Sequence, residues 1–180
     1  MALRFKMTVP NLLIVLGTLL IAIGGIIATK GWHARIVATQ RNDIIRAVAA
    51  ETLMNISVFT DPAFTKRSEE ELSKFIWFPR MQTVALGGAI ASGLFVGEKD
   101  RVFWTRAANL HELLADFNQR LSFTGDRMSQ KPSEIALFRK KLRDGQVRKN
   151  LGVKLQKFGE MLISDYGVKR DDRFFMQLDD

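Results

Sequence analysis

The apolar positions of this chain form one unbroken run near the N-terminus, followed by a series of helical stripes. Residues 12–28 read LLIVLGTLLIAIGGIIA, seventeen residues without a charge. As a helix this run is about 26 Å long, close to the ~30 Å hydrocarbon core of a bilayer. Val9 and Pro10 extend it on one side, Thr29 and Trp32 on the other. It exceeds the roughly 7–15 apolar residues of a cleaved signal core, so residues 12–29 read as a retained anchor behind a short basic tail, residues 1–11.

Beyond the anchor the pattern turns amphipathic. In residues 101–128, Phe103, Ala107, Leu110, Leu114, Phe117 and Leu121 follow at steps of four, three, four, three and four, with Met128 a heptad further on. That spacing predicts the core-facing stripe of a bundle helix. Asp100 is placed as its N-cap, and Gly97 as the close of the preceding element. Another helix is predicted to continue from the anchor through Ile36, Ile44, Ile45, Val48, Leu53, Ile56 and Phe59, with no Gly or Pro in residues 32–59. Asp61-Pro62 marks a turn. Ser68-Glu69-Glu70-Glu71 reads as a capping box ahead of Leu72, Phe75, Ile76 and Phe78, and Pro79 kinks or restarts that helix.

Residues 83–96, TVALGGAIASGLFV, carry no charge but are too short for a comfortable crossing. They read as a buried core helix, with a second membrane segment as the alternative, in which Gly87/Ala91 and Gly88/Ser92 admit close neighbours. In residues 133–165 the stripe Ile135, Phe138, Leu142 breaks near Asp144-Gly145 and resumes at Leu151, Leu155, Phe158 and Leu162, which predicts a hinge at Gly145. Residues 169–180 form a polar tail whose Phe174, Phe175, Met176 and Leu178 clip it to the domain or dock elsewhere. The expected fold is all-α: a single N-terminal transmembrane helix followed by an antiparallel bundle of about four helices over residues 30–168.

Charge adds a partner class to this picture. The net charge is +8 over 180 residues, unevenly placed: residues 132–168 hold eight Lys or Arg against four acids, whereas residues 61–100 come to −1. Arg139, Lys140, Lys141, Arg143, Arg148, Lys149, Lys154 and Lys157 fall within nineteen residues, with Asp144 the sole acid among them. They are expected off the apolar stripes, on a solvated face suited to anionic lipid headgroups or to an acidic protein subunit. Nucleic acid is the weaker match, because no interleaved aromatics or known binding module accompany the charges.

Candidate chemistry is sparse. With no cysteine, disulfides, thiolate nucleophiles and cysteine-ligated metals are excluded. His33 lies beside Trp32 just past the anchor, a common interfacial placement. His111-Glu112-Leu113-Leu114-Ala115 lacks the second histidine of a zinc helix, so His111 is read as structural. No nucleophile elbow or phosphate loop occurs, and no cofactor is implied. Asn55-Ile56-Ser57 is a formal glycosylation acceptor. Gly17, Gly24 and Ala28 are candidate small-residue contacts for another membrane helix.

Two Lys/Arg precede the anchor and four follow within twenty residues (Lys30, Arg35, Arg41 and Arg46), which points to a cytoplasmic C-terminal domain. A signal anchor with its basic tail kept inside is the opposing arrangement. The leading functional expectation is a membrane-anchored, non-enzymatic interaction or assembly subunit. A sensory or regulatory bundle coupled to its anchor is the alternative, and a membrane-bound enzyme without a local motif comes third.

Overall fold

The computed structural model describes residues 9–61, 68, 71, 80–126 and 132–171, and every regular element among them is helical. In chain order these are α1 (Val9–Thr60), α2 (Val84–Ala91), a 3-10 turn (Glu98–Asp100), α3 (Arg101–Asp126), α4 (Pro132–Asp144) and α5 (Gln146–Tyr166). The chain divides into two compact units, Met1–Arg41 and Asn42–Asp180. The all-α architecture, a long apolar N-terminal helix and then helices that pack together, is the one the apolar spacing predicts.

In the first unit, α1 turns large apolar side chains outward. Leu19, Leu20, Ile26 and Ile27 are exposed, and Ile21 reaches 77 %. Among the described residues this is the one helix long and apolar enough to cross a membrane. A helix suits that setting because its backbone polar groups are satisfied internally. A Cβ added at Gly17 or Gly24 would meet nothing within 4 Å, so this small-residue face is open in the chain. Ile36, expected in the domain stripe, is 40 % exposed and belongs to this unit.

In the second unit, α3 is the hub, packing against α2, α4, α5 and the 3-10 turn. Its six predicted stripe residues, Phe103 through Leu121, are all buried; Met128 lies outside the described residues. Ile45, Val48, Ile56 and Phe59 of α1 join this core, as do Leu151, Leu155, Phe158 and Leu162 of α5. Gly152 and Gly159, one heptad apart on α5, are buried on the same helix. Phe103 gathers an aromatic cluster, with ring centroids 4.5 Å from Phe95, 5.8 Å from Phe158 and 5.1 Å from Tyr166. The Tyr166 hydroxyl donates to Asp100 Oδ1 at 3.1 Å. A phenol partly withdrawn from solvent usually finds such a partner.

The hinge falls at Gly145, between α4 and α5. Its backbone is extended (φ −81, ψ 164), and a Cβ there would collide with the Lys141 carbonyl oxygen. At the far end, Gly167 has a left-handed φ of +64, and the N–H groups of Gly167 and Val168 turn back onto the Leu162 carbonyl. This closes α5 where L-residues with a Cβ rarely go.

Two expectations need correction. Residues 83–96 do not make one core helix: α2 has eight residues, about 12 Å, and buries Leu86 and Ala89 while leaving Val84 79 % exposed. The glycine that ends it is Gly93, with φ +67, whereas Gly97 is extended and leads into the 3-10 turn. Close packing across α2 does occur at Gly87, where a Cβ would sit 3.3 Å from His111 Nε2. Gly88 faces no such neighbour.

The predicted capping box is present in its two described residues. Ser68 N–H donates to Glu71 Oε2 at 2.8 Å, and Glu71 N–H donates to Ser68 Oγ at 3.2 Å. Leu72, Phe75, Ile76 and Phe78, like Phe174, Phe175, Met176 and Leu178, lie outside the described residues.

Candidate functional site

The eight basic residues do not share one solvated face. Arg139 is 1 % exposed, and burial pushes its guanidinium below the usual arginine range. The expectation that it stays in solvent is wrong because the inward face of α4 is wider than its apolar residues suggest. Arg139 lies three residues before the buried Leu142, inside the ≳ 100° arc that a core-facing helix turns inward.

Arg148 is also structural. It donates from Nη2 to the Phe59 carbonyl at 3.0 Å and from Nη1 to the Arg143 carbonyl at 3.2 Å. Its guanidinium carbon lies 5.8 Å from the Phe59 ring centroid. Phe59 and Arg143 are the penultimate residues of α1 and α4, so one cation serves two helix C-termini, where carbonyls lack intrahelical donors and the macrodipole is negative. Burial lowers the Arg148 pKa, with Asp144 opposing. Arg143, its side chain 12 % exposed, holds Asp144 through contacts of 2.6 and 2.9 Å. That hydrogen bonding keeps the Asp144 carboxyl below its usual range.

The cations left at the surface are Lys141, Lys149, Lys154 and Lys157, with Lys140 half-buried. Lys154 and Lys157 border a cleft of about 160 Å³ between α5 and α3. Arg106 and Asn109 line it from α3, and Leu110 and Phe158 complete it. Arg106 was not among the charges singled out by density along the chain. It lies on α3, and packing brings it to the same cleft as the two lysines.

A second polar arrangement, buried at Glu51 and Asn55 and half-buried at Asn118, escapes the sequence pattern altogether. Asn118 of α3 accepts the Met81 N–H and donates to the Met81 carbonyl, both at 2.8 Å. Asn55 of α1 treats Gln82 the same way, at 2.7 and 2.9 Å. One turn earlier on α1, the Glu51 carboxylate accepts the N–H groups of Ala85 and Leu86 at 2.6 and 3.1 Å. Residues 81–82 thus meet two side-chain amides in place of a neighbouring strand, and α2 is capped by a carboxylate from another helix. The available signal was Glu51, Thr52 and Asn55 interrupting the apolar stripe between Val48 and Ile56. With Asn55 fully buried and both its amide atoms engaged, Asn55-Ile56-Ser57 is not a usable glycan acceptor in the folded chain.

Beside α1 runs a groove of about 950 Å³, bounded by Ile45, Ala49 and Leu53 and by residues 166–171. Asn42 and Arg46 add polar atoms to its wall. His111 is half-buried against Gly87 and His33 is exposed on α1. Among the described residues no three metal-ligating side chains converge. No protein-family model, no curated protein and no solved structure matches the chain.

Proposed function

We propose that this chain is an integral, single-pass membrane protein whose helical domain is a docking or assembly subunit for a larger membrane complex. The observation that carries the reading is the chain's division of labour. One unit exposes an apolar helix that suits lipid, and the other has a filled core with Lys141, Lys149, Lys154 and Lys157 left in solvent. Lysine ends in a compact ammonium on a flexible four-carbon stem, which fits recognition of an acidic subunit or an anionic leaflet. The Lys/Arg count behind the anchor supports a cytoplasmic domain.

Gentle detergent extraction of the full chain tests this. A stoichiometric protein partner should be retained by the native chain and lost by the double variant Lys141→Glu, Lys149→Glu. A native chain that behaves as a lone monomer, with the variant identical, removes the docking reading. For the side of the membrane, Lys99→Cys is the only thiol in its variant, and a membrane-impermeant maleimide should reach it from the cytoplasmic face only.

The groove beside α1 favours a second reading, a regulatory domain that senses a small molecule. A ligand there would touch Ile45, Ala49 and Leu53, on the same helix whose earlier residues form the apolar run. A purified chain carrying a small molecule, lost on Ala49→Phe, would favour this version.

A further inference from the structure

We infer that the cleft between α3 and α5 is a binding site for a phosphate group. This deepens the docking reading by naming the chemistry of what is held. The two helices bring matching patterns to it: Arg106, Asn109 and Leu110 on α3, and Lys154, Lys157 and Phe158 on α5. On each helix a cation is followed three residues later by a polar or charged side chain and four later by an apolar one. Residues at i, i+3 and i+4 share a helix face, so each helix lines the cleft with two polar side chains and one apolar residue. Leu110 and Phe158 are both buried core residues, which gives the cleft a fixed floor.

Among the described residues no carboxylate lines the cleft. Three cations around about 160 Å³ repel one another, and a bound anion relieves that repulsion. The donor set narrows the ligand's class. Arginine presents a planar fork of N–H donors that matches two phosphate oxygens, the lysines add mobile point charges, and the Asn109 amide adds a neutral donor. Four donor groups around a small volume suit the several oxygens of a phosphomonoester better than the two of a carboxylate. Two sources carry that group, a lipid headgroup and a soluble phosphate, and the site reads the chemistry they share.

The test uses the full chain in lipid nanodiscs and follows acetylation of each lysine by mass spectrometry. Inorganic phosphate in neutral phosphatidylcholine discs is one arm, and discs containing phosphatidic acid without free phosphate are the other. Lys154 and Lys157 should be protected in at least one arm, while the exposed Lys99 and Lys141 keep their rates. Protection in the lipid arm alone assigns the group to a headgroup, and protection in the phosphate arm alone to a soluble ligand. Arg106→Gln, an exposed substitution on the opposite helix, should weaken the protection about fivefold, the effect of one surface cation on an anionic partner.

Equal slowing of all four lysines, or no slowing in either arm, overturns the site. So does protection that survives Arg106→Gln. If the variant also keeps its stoichiometric protein partner, docking stands and only the phosphate site falls.

Discussion

Two stretches of α1 are built on the same helical backbone and have opposite environments. Residues 16–28 are apolar on every side and expose leucine and isoleucine, whereas residues 45–59 bury a carboxylate, a threonine and an amide beside isoleucine and phenylalanine. In the first stretch no polar stripe marks an outside, which is the pattern of a helix whose solvent is hydrocarbon. In the second, buried polar atoms persist because each has a partner: Glu51 and Asn55 satisfy backbone groups of residues 82–86, and Thr52 Oγ1 bonds the Val48 carbonyl at 2.8 Å. Hydropathy therefore separates a stretch long and apolar enough to cross a membrane from one that packs in the core. It says nothing of the polar groups that hold the second in place.

The contrast breaks hardest at Phe59, which is fully buried and packs 5.7 Å from Phe117. Phe59→Ala should cost about 3–5 kcal/mol, read by denaturant unfolding of the full chain in detergent. A loss under about 1 kcal/mol would show that this end of α1 is not core.

Next comes Glu51→Ala, which leaves two N–H groups at the start of α2 without their acceptor and should cost about 2–4 kcal/mol. Glu51→Gln keeps one acceptor oxygen and should recover part of the loss. Equal damage from both would mean that shape, rather than hydrogen bonding, matters there. Asn55→Asp should cost about 1–3 kcal/mol, since it removes the donor to the Gln82 carbonyl and sets an oxygen against it. Hydrogen exchange at Met81 and Gln82 should accelerate in that variant, and unchanged protection would detach Asn55 from the clamp.

Asp144 sharpens the comparison from the exposed side. Its pKa is lowered in the folded chain, first by the Arg143 hydrogen bond, so its contribution is present above the unfolded carboxylate value of about 3.9 and is lost as pH falls through the lowered one. The Asp144 side chain is 49 % exposed, so solvent screening limits the effect to about 0.2–1 kcal/mol. Asp144→Asn should lower stability at neutral pH by that small amount and flatten the acid limb; an unchanged limb would mean the pair contributes nothing. The smallest effect belongs to Ile21→Ala. Unfolding of the domain should keep its midpoint, and a loss near that of Phe59→Ala would place Ile21 in a packed interface.

The basic run shows where reading along the chain stops short. Counting charge found Lys141, Lys149, Lys154 and Lys157, which are exposed, but it also placed Arg139 in solvent. Arginine carries a long apolar stem and five donors, so it can lie in a core and serve backbone carbonyls, as Arg148 does at two helix ends. Arg106 illustrates the converse, a cation outside the dense run that lines one cleft with two lysines roughly fifty positions away.

Local spacing by itself determined the helices, the stripe of α3, the Gly145 break, the Ser68/Glu71 cap and the apolar run of α1, because each depends on interactions within a few residues or on a repeat that one face must bury. Tertiary structure alone decided that Glu51, Asn55 and Asn118 grip residues 81–86, that α2 stops after eight residues at Gly93, and that Arg106 meets Lys154 and Lys157. Those pairings join groups 27 to 51 positions apart, as with Asn55 and Gln82 or Arg106 and Lys157. A polar side chain carries no periodic mark of its distant partner. It is placed only when packing brings an unsatisfied backbone group, or a second cation, within reach.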